Sequence, residues 1–217
     1  WTKEREHRMY VLQEKIRLIA VGRTDSGVHA EAQVANFNTK SSVELWKLQK
    51  ALNALLPRDI SISKVEDVSF NFNSRFDAKS KIYRYTILNS KSPSALLKNY
   101  TYFYSYPLNI KLMRKEAKIL LGRHNFKSFQ ASDKDERSSV RTIKKLNIVK
   151  KGDLINIYIE ANGFLYNMVR NIVGSLLEIG RGRFAQGSLA KILAAKDRKL
   201  SGPLVPARGL CLIKGKY

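Results

Sequence analysis

Apolar and polar positions in the first third of the chain alternate in a way that predicts strands flanking one amphipathic helix. The strand-like segments are Arg17–Val21, Gln33–Asn38 and Ile60–Val65. Between the last two, the segment from Ser41 to Leu56 places its leucines at helical spacing. Ser41 and Glu44 stand three residues apart, as in a capping box, and Pro57 ends the predicted helix.

The rest of the chain repeats this alternation of strands and helices without an internal sequence repeat. Predicted strands are Lys81–Leu88, Leu146–Val149, Leu154–Ala161 and Gly209–Lys214. Predicted helices are one capped by Asn109 and stopped by Gly122, one of about 15 residues within Phe164–Gly180, and one at Ser188–Lys196. Strands with one apolar face between amphipathic helices indicate an α+β fold, with helices packed on one side of largely antiparallel sheets.

Two consecutive units of this kind predict two halves, residues 1–70 and 71–217, with a boundary near Phe70–Phe76. The first half looks incomplete at its start. A helical-looking YVLQEKI segment meets the strand-like RLIAV, and a helix cannot reverse into a neighbouring strand in zero residues. We therefore expect residues to be absent before Trp1 and near Ile16–Arg17, where a chain break or a Cα–Cα step well beyond ~3.8 Å should occur.

The charge balance changes this picture, because 40 Lys and Arg residues face 18 Asp and Glu residues, for a formal net charge of +22. Such an excess repels itself and weakens the compact state unless a polyanion binds it. Nucleic acid is the first candidate partner. An anionic membrane surface is the second, and the helical segment Leu112–Leu121 meets the requirement for a basic amphipathic helix only weakly. A lysine-rich composition that places Lys on every solvated surface would also explain the charge.

Several classes of function have no support in the sequence. The one cysteine, Cys211, allows no internal disulfide, fits a reducing cytoplasm and lies in an apolar run, where we expect a buried small hydrophobe. The three histidines, His7, His29 and His124, are far apart and lack cysteine companions, so no metal site is indicated. No phosphate-binding glycine motif, charge-free run of ~18 apolar residues or signal peptide occurs, so no cofactor and no membrane span are expected.

A turn-rich loop after the first predicted strand carries the most distinctive chemistry. In Gly22–Ala30, GRTDSGVHA, Asp25 and Arg23 lie between two glycines, which permit close approach of a ligand or another backbone. Residues at the end of a strand are held rigidly yet remain accessible, which suits a catalytic group. Taken alone, however, an Asp in a turn is more often a structural residue that caps or bends the loop.

This loop closely resembles the signature loop of the TruA-type tRNA pseudouridine synthases. Further blocks resemble that family in the same order and cover nearly the whole chain from Val21 onward. They are NALLPRDISI at 53–62, RFDAKSKIYRY at 75–85, NFKSF at 125–129, SSVRTI at 138–143, FLYNMVRNIVGSLLEIGRGR at 164–183, and AKDR and PARGLCL near the C-terminus. One feature departs from the family, since the usual opening YDG…GWQ block is missing.

The resemblance implies the pseudouridine synthase fold, with two ferredoxin-like halves whose mainly antiparallel sheets meet at a basic central cleft. It implies that Asp25 is the catalytic aspartate and that Arg170 pairs with it. It also implies that Tyr83 stacks on the target uracil, while Arg23 takes the place of that base as it leaves the helix. The implied substrate is a uridine in the anticodon stem-loop of tRNA, of the type at tRNA positions 38 to 40. A cytoplasmic homodimer that binds one tRNA is expected.

The implied chemistry agrees with the residue types. Pseudouridine formation breaks the C1′–N1 bond, turns the uracil and rejoins it through C5, so it needs neither a redox cofactor nor a metal. Asp25 can attack C1′ or remove the C2′ proton, and the sequence leaves both routes open. Burial would raise the pKa of this carboxyl group, and an arginine partner would lower it. Arg170 falls at the edge of an apolar helical stripe, where Gly174, one turn later, is expected to leave room for its guanidinium.

The surrounding residues have less specific signals. Tyr85 is expected to pack in the sheet, and His29 to make a structural hydrogen bond. Candidate RNA phosphate contacts are Arg58, Lys79, Lys81, Arg123, Lys127, Arg141, Arg181 and Arg183. A pseudouridine synthase acting on other RNA sites, and a catalytically idle RNA-binding protein, remain the alternatives. Intact Asp25, Tyr83 and Arg170 argue against idleness, because a pure binder needs no carboxylate facing an anionic ligand.

Overall fold

A computed structural model of the chain describes residues 6–9, 11–22, 24–131 and 138–217. Its internal contacts separate two units. The first unit comprises Trp1–Arg23 and Val34–Asp77, and the second comprises Thr24–Gln33 and Ala78–Tyr217. The boundary therefore lies a few residues beyond the one expected from the sequence. The loop that contains Asp25 belongs to the second unit, whereas the sequence analysis assigned it to the first half.

The described residues form eleven strands and four α-helices. The strands are β1 Glu6–Met9, β2 Glu14–Arg17, β3 Ile19–Ala20, β4 His29–Ala30, β5 Ala35–Asn36, β6 Ser80–Leu88, β7 Tyr102–Phe103, β8 Gly122–Asn125, β9 Val140–Lys151, β10 Leu154–Ala161 and β11 Leu210–Lys216. The helices are α1 Leu45–Leu55, α2 Ile110–Ala117, α3 Met168–Gly180 and α4 Ser188–Ala195. Groups of strands are interleaved with helices along the chain, as the hydrophobic pattern predicts.

In the first unit, β1 and β2 form an antiparallel hairpin where the sequence suggested a helix meeting a strand. The chain turns before Glu14 through Gln13, which adopts a left-handed conformation with φ of 54°. Ile16 and Arg17 are consecutive residues of β2, and both have partners in β1. The expected interruption at this step is therefore not found, because the turn lies earlier and uses no Gly, Pro, Asn or Asp.

The helix of the first unit forms as predicted, but its cap and the strand after it do not. Glu44 is the N-cap residue of α1 and makes no side-chain capping bond, so the capping box is wrong. Ile62 lies in the predicted strand 60–65, which is not a strand. Its backbone N–H donates to Asn53 Oδ1 at 2.7 Å, and its carbonyl accepts from the Asn53 and Gln49 amides. Side chains of α1 thus take the hydrogen bonds that a strand partner would have used.

The second unit is built on one large sheet with the strand order β4-β11-β6-β10-β9-β8, and β7 lies beside β6. All neighbouring strands are antiparallel except the β4–β11 and β6–β7 pairs. Tyr83, Tyr85 and Ile87 of β6 are buried on one face, each opposite an isoleucine of β10. This confirms the predicted alternation and a mixed fold with mainly antiparallel sheets.

Three helices provide the apolar partners of this unit. Nearly every residue of α3 is buried, and Met113 of α2 and Leu189 of α4 are also in the core. Asn109 caps α2 as expected, because its Oδ1 accepts from Leu112 N at 2.9 Å. Gly122 does not end this helix. It stops at Ala117 and a 3-10 turn follows, so Gly122 begins β8 instead.

Candidate active site

The loop that contains Asp25 is attached to the edge of the large sheet. Strand β4 follows the loop and pairs in parallel with β11 at Cys211 and Leu212. Gly27 has a φ of +81°, a conformation that favours glycine, and Val28 N donates to the Asp25 carbonyl at 3.0 Å across this turn. The sheet therefore holds the backbone of Asp25 in a fixed position while its carboxylate remains partly exposed.

His29 has the structural role that the sequence suggested. Its Nε2 lies 2.7 Å from the carbonyl oxygen of Asn99, and its ring lies 4.9 Å from that of Tyr100. Cys211 is buried in β11, as expected for a small hydrophobe. Burial raises the pKa of the Cys211 thiol, which keeps it protonated near neutral pH. Neither side chain has the geometry of a reactive group.

The central contact of the site joins residues that are 145 positions apart. Arg170 Nη1 lies 3.4 Å from Asp25 Oδ2. The Arg170 side chain is 13% exposed and that of Asp25 is 36% exposed, so the pair is partly shielded from water. The sequence expectation that the Asp25 carboxylate and the Arg170 guanidinium come within hydrogen-bonding reach is confirmed.

Two further acceptors fix the Arg170 guanidinium. Its Nε donates to the Val205 carbonyl at 2.8 Å, and its Nη1 donates to Asn167 Oδ1 at 2.9 Å. Both bonds are shorter than the contact with Asp25. The orientation of the guanidinium is therefore set by the protein around it, and the carboxylate of Asp25 meets a cation that is already in place.

Gly174 serves this arrangement in a different way from the one expected. A Cβ on Gly174 would overlap with the Pro203 carbonyl oxygen, so the glycine makes room for a backbone segment and not for the guanidinium. That segment supplies the Val205 carbonyl to Arg170. Arg198, in the AKDR block, fastens the same segment by donating to Ser201 Oγ at 2.6 Å and to an acceptor on α3 at 2.8 Å.

Asn167 is a site residue that the sequence analysis missed. It precedes α3 in a left-handed conformation with φ of 60°, yet its side chain does not cap the helix. Asn accepts this conformation more readily than most residues, and here the side chain accepts a hydrogen bond from Arg170. The available signal was its position three residues before an arginine at the start of a helix, a spacing that brings two side chains together.

Tyr83 is close enough to Asp25 for the carboxylate charge to act on its hydroxyl. Burial, the Asp25 charge and Cys211, in that order, raise the pKa of Tyr83 to about 12. Tyr83 is 8% exposed, and its ring packs edge-on against Phe164, with centroids 5.0 Å apart. Tyr85 is fully buried and donates to the Pro206 carbonyl at 2.7 Å, which confirms its packing role. At neutral pH the Tyr83 hydroxyl is therefore protonated.

The other predicted site residues differ in their exposure to solvent. Arg23 lies outside the described residues. The candidate phosphate contacts that are exposed are Arg58, Lys79, Arg123, Lys127 and Arg183, and those of intermediate exposure are Lys81, Arg141 and Arg181. Arg181 and Arg183 lie 3.8 Å and 3.7 Å from the Glu178 carboxylate. Arg141 Nη1 donates to two backbone carbonyls at 2.7 Å, so it also helps to fix its own strand.

The described residues also bear on the interpretation of the positive charge as a membrane-binding surface. None of the helices in the described part of the chain is long and apolar enough to cross a bilayer. Helix α2, the candidate for a membrane surface, buries Met113 and Ala117, and its Arg114 donates to the Ile148 carbonyl at 2.8 Å. Its apolar face is thus already occupied by the core of the second unit.

Comparisons with known proteins assign the chain to a family. The sequence model of the family described as tRNA pseudouridine synthase matches residues 1–77 and 117–217. "tRNA pseudouridine synthase A" from Thermoanaerobacter sp. (strain X514) is 48% identical over 207 residues, which span 95% of this chain and 85% of the relative. A protein of the same name from Clostridium acetobutylicum is 45% identical over 204 residues, 94% of this chain and 84% of the relative. The chain belongs to the tRNA pseudouridine synthase family.

Proposed function

We propose that this chain isomerises uridine to pseudouridine in the anticodon stem-loop of tRNA, with Asp25 as its catalytic carboxylate. The observation that carries the proposal is the 3.4 Å contact between Asp25 and a fully oriented Arg170. The family and the names of the relatives support the reaction and the substrate. An RNA-binding protein without activity would gain nothing from a carboxylate held where RNA phosphates approach.

In this proposal the fixed guanidinium of Arg170 orients the Asp25 carboxylate. In one route the Asp25 carboxylate attacks C1′ of the target ribose as the C1′–N1 bond breaks, and the Asp25–C1′ bond breaks again when C5 of the turned uracil bonds to C1′. In the other route Asp25 removes the C2′ proton as the C1′–N1 bond breaks, and the proton returns to C2′ when C5 bonds to C1′. In both routes C5 then releases its proton to solvent and N1 takes one up, so the composition of the substrate is unchanged. No step requires an electron acceptor or a second substrate.

The uracil must leave the base stack before this chemistry, at a cost of a few kcal/mol. We assign Arg23 the role of filling the gap that the base leaves. Tyr83 lines the position of the freed base, where contact with an aromatic ring contributes roughly 1–3 kcal/mol. The Tyr83 hydroxyl remains protonated at neutral pH and is available as a hydrogen-bond donor. The stacking role of Tyr83 and the base-replacing role of Arg23 rest on the family resemblance.

The proposal extends to the assembly. We infer that the fold has two ferredoxin-like halves and a basic cleft that receives the tRNA. The formal net charge of +22 favours such a polyanionic partner. The exposed cations named above are its candidate phosphate contacts. The active form is a homodimer in the cytoplasm, in which one tRNA contacts both subunits.

The test is turnover of unmodified tRNA by the wild type and by Asp25→Asn, followed by tritium release from C5-labelled uridine. Asn keeps the shape of Asp and removes its charge, so the variant should lose activity while tRNA binding stays as strong. Asp153→Asn, an exposed carboxylate in the β9–β10 turn, is the matched control and should retain full turnover. Turnover by Asp25→Asn would refute the mechanism, and tRNA binding without wild-type turnover would favour an idle RNA-binding protein.

A further inference from the structure

A second pocket of the larger unit is not used by the chemistry at Asp25. It has a volume of about 290 Å³, near the lower end of the ~300–1,000 Å³ typical of small-molecule sites. One wall is the tyrosine-rich run that begins with β7, with Tyr102, Tyr104 and Tyr106. The opposite wall is the C-terminal end of α3 with the arginines that follow it, Arg181 and Arg183.

The aromatic wall is organised before any ligand is present. Neighbouring rings of the three tyrosines meet edge to face, with centroids 5.7 Å and 5.6 Å apart. Tyr106 is 52% exposed, and the Arg181 guanidinium lies 4.0 Å from its ring centroid. Arginine stacked on tyrosine offers a flat, cationic surface of the kind on which nucleobases stack.

Polar groups in the pocket are left without full hydrogen bonding. Tyr104 is 7% exposed, and its hydroxyl is within reach of Arg181 but makes no well-formed hydrogen bond to any residue the structure describes. Burial raises the pKa of this hydroxyl, which therefore remains a donor. The Glu178 carboxylate lies 3.8 Å from Arg181 and 3.7 Å from Arg183, beyond hydrogen-bonding distance of either. Buried polar groups with incomplete hydrogen bonding are costly, so they mark a place where a polar ligand atom would be stabilised.

The charges around the pocket select the class of ligand. Arg183 has a side chain that is 62% exposed at the rim, where it can meet a phosphate. Inside, the Glu178 carboxylate can accept from the imino or amino groups of a base, and the Tyr104 hydroxyl can donate to a base oxygen or ring nitrogen. A flat ring, edge donors and acceptors, and an attached phosphate together describe a nucleotide.

The pocket shares a residue with the catalytic site. Val205 lines it, and the Val205 carbonyl also accepts from Arg170 Nε at 2.8 Å. We propose that this pocket binds a second, unstacked base of the same tRNA, apart from the target uridine, with its phosphate on Arg183. The inference rests on the proposed function, since it takes tRNA as the substrate.

The first test measures tRNA affinity and turnover for Tyr106→Ala, Tyr106→Phe and the control Tyr217→Ala, which alters another exposed tyrosine. Loss of one base stack should raise Kd and KM for unmodified tRNA on the order of tenfold in Tyr106→Ala, with kcat unchanged. Tyr106→Phe keeps the ring and should restore wild-type affinity. Thermal denaturation of each variant checks the fold. If Tyr106→Ala changes Kd no more than Tyr217→Ala does, the base-binding inference is wrong.

The second test places a photo-crosslinking phenylalanine analogue at Tyr106, or at Tyr217 as control, and maps crosslinked tRNA nucleotides by primer extension. One nucleotide other than the target uridine should crosslink at 106 and none at 217. Absence of a specific crosslink would overturn the inference. If GMP, AMP, CMP or UMP in excess removed the crosslink without weakening tRNA binding, the pocket would instead be a binding site for a free nucleotide. Wild-type turnover, measured in parallel, separates these outcomes from failure of the proposed function.

Discussion

Removing the two members of the Asp25–Arg170 pair should have unequal effects on stability. In Arg170→Ala, the Val205 carbonyl and the Asn167 amide oxygen lose a charged donor, at 2.8 Å and 2.9 Å respectively. Leaving buried acceptors without a donor costs about 1–3 kcal/mol each, less where water enters. The Arg170 side chain is 13% exposed, so water replaces the lost bonds only in part. We expect Arg170→Ala to lower the free energy of unfolding by about 2–4 kcal/mol.

Asp25→Asn should cost much less. Its carboxylate is 36% exposed and lies 3.4 Å from the guanidinium, so the contact resembles a surface ion pair, which contributes about 0–1 kcal/mol, and not a fully buried pair. The fixed Arg170 also retains its two other acceptors in this variant. We therefore expect a loss below about 1 kcal/mol, although turnover disappears.

Urea denaturation followed by far-ultraviolet circular dichroism measures both effects on the same scale. Arg170→Lys is the intermediate variant, because lysine keeps the charge but cannot serve Val205, Asn167 and Asp25 in one plane. Equal destabilisation by Asp25→Asn and Arg170→Ala would refute the reasoning. It would mean that the ion pair, and not the protein acceptors, holds the guanidinium in place.

Three further predictions concern single contacts, and a fourth concerns the net charge. Asn167→Gly is compatible with the left-handed backbone conformation and removes the acceptor, so it should lower kcat on the order of tenfold with little change in KM, because Arg170 is less well oriented. Gly174→Ala should destabilise the protein by roughly 1–3 kcal/mol, since the added methyl overlaps with a packed carbonyl. Hydrogen bonds, first from Lys216 and then from Ser80, lower the pKa of the Glu160 carboxyl below its unfolded value, so its contribution to stability is present above about pH 4.3 and is lost as pH falls through the folded pKa. The loss of stability caused by Glu160→Gln should accordingly be largest near pH 7 and shrink below pH ~4 in urea titrations. The affinity for tRNA should fall log-linearly with salt concentration, because each neutralised phosphate releases counterions.

The controls for these predictions are also in the chain. Gly163→Ala adds a methyl that meets only the flexible Arg141 side chain, so it should be close to neutral beside Gly174→Ala. Asn167→Asp keeps an acceptor for Arg170 and should retain more activity than Asn167→Gly. An effect of Glu160→Gln on stability that does not depend on pH would contradict the assigned hydrogen bonds. Binding of tRNA that does not depend on salt would mean that the excess basic residues do not contact phosphates.

Local sequence patterns were sufficient to predict the structure wherever one strand or helix buries one continuous face. The alternation in β6 and β10 predicts which side chains enter the core, because side-chain direction in a strand has a period of two. The same holds for α3 and for the Asn109 cap, whose hydrogen bond spans three residues. The family blocks of the sequence likewise identified Asp25, Tyr83 and Arg170 as residues to examine.

Predictions from local sequence patterns were wrong wherever a group from elsewhere in the chain determines the local conformation or contact. Residues 60–65 look like a strand, but the side chain of Asn53 takes the backbone bonds of Ile62. Gly174 looks like space for Arg170, but a carbonyl from residue 203 occupies that space. An intrinsic propensity describes which conformations a segment can adopt. Competing contacts from elsewhere in the chain select one of those conformations.

The active site likewise combines features that the sequence determines with features that only the tertiary structure determines. The sequence alone determined that an acidic loop residue, an arginine on an apolar helix and a strand tyrosine were available to a tRNA pseudouridine synthase. Only the tertiary structure decided that Arg170 is oriented by Asn167 and Val205 before it meets Asp25. The physical reason is that a hydrogen bond depends on distance and angle to within tenths of an ångström. Such geometry arises from packing between residues up to 145 positions apart, which no local pattern contains.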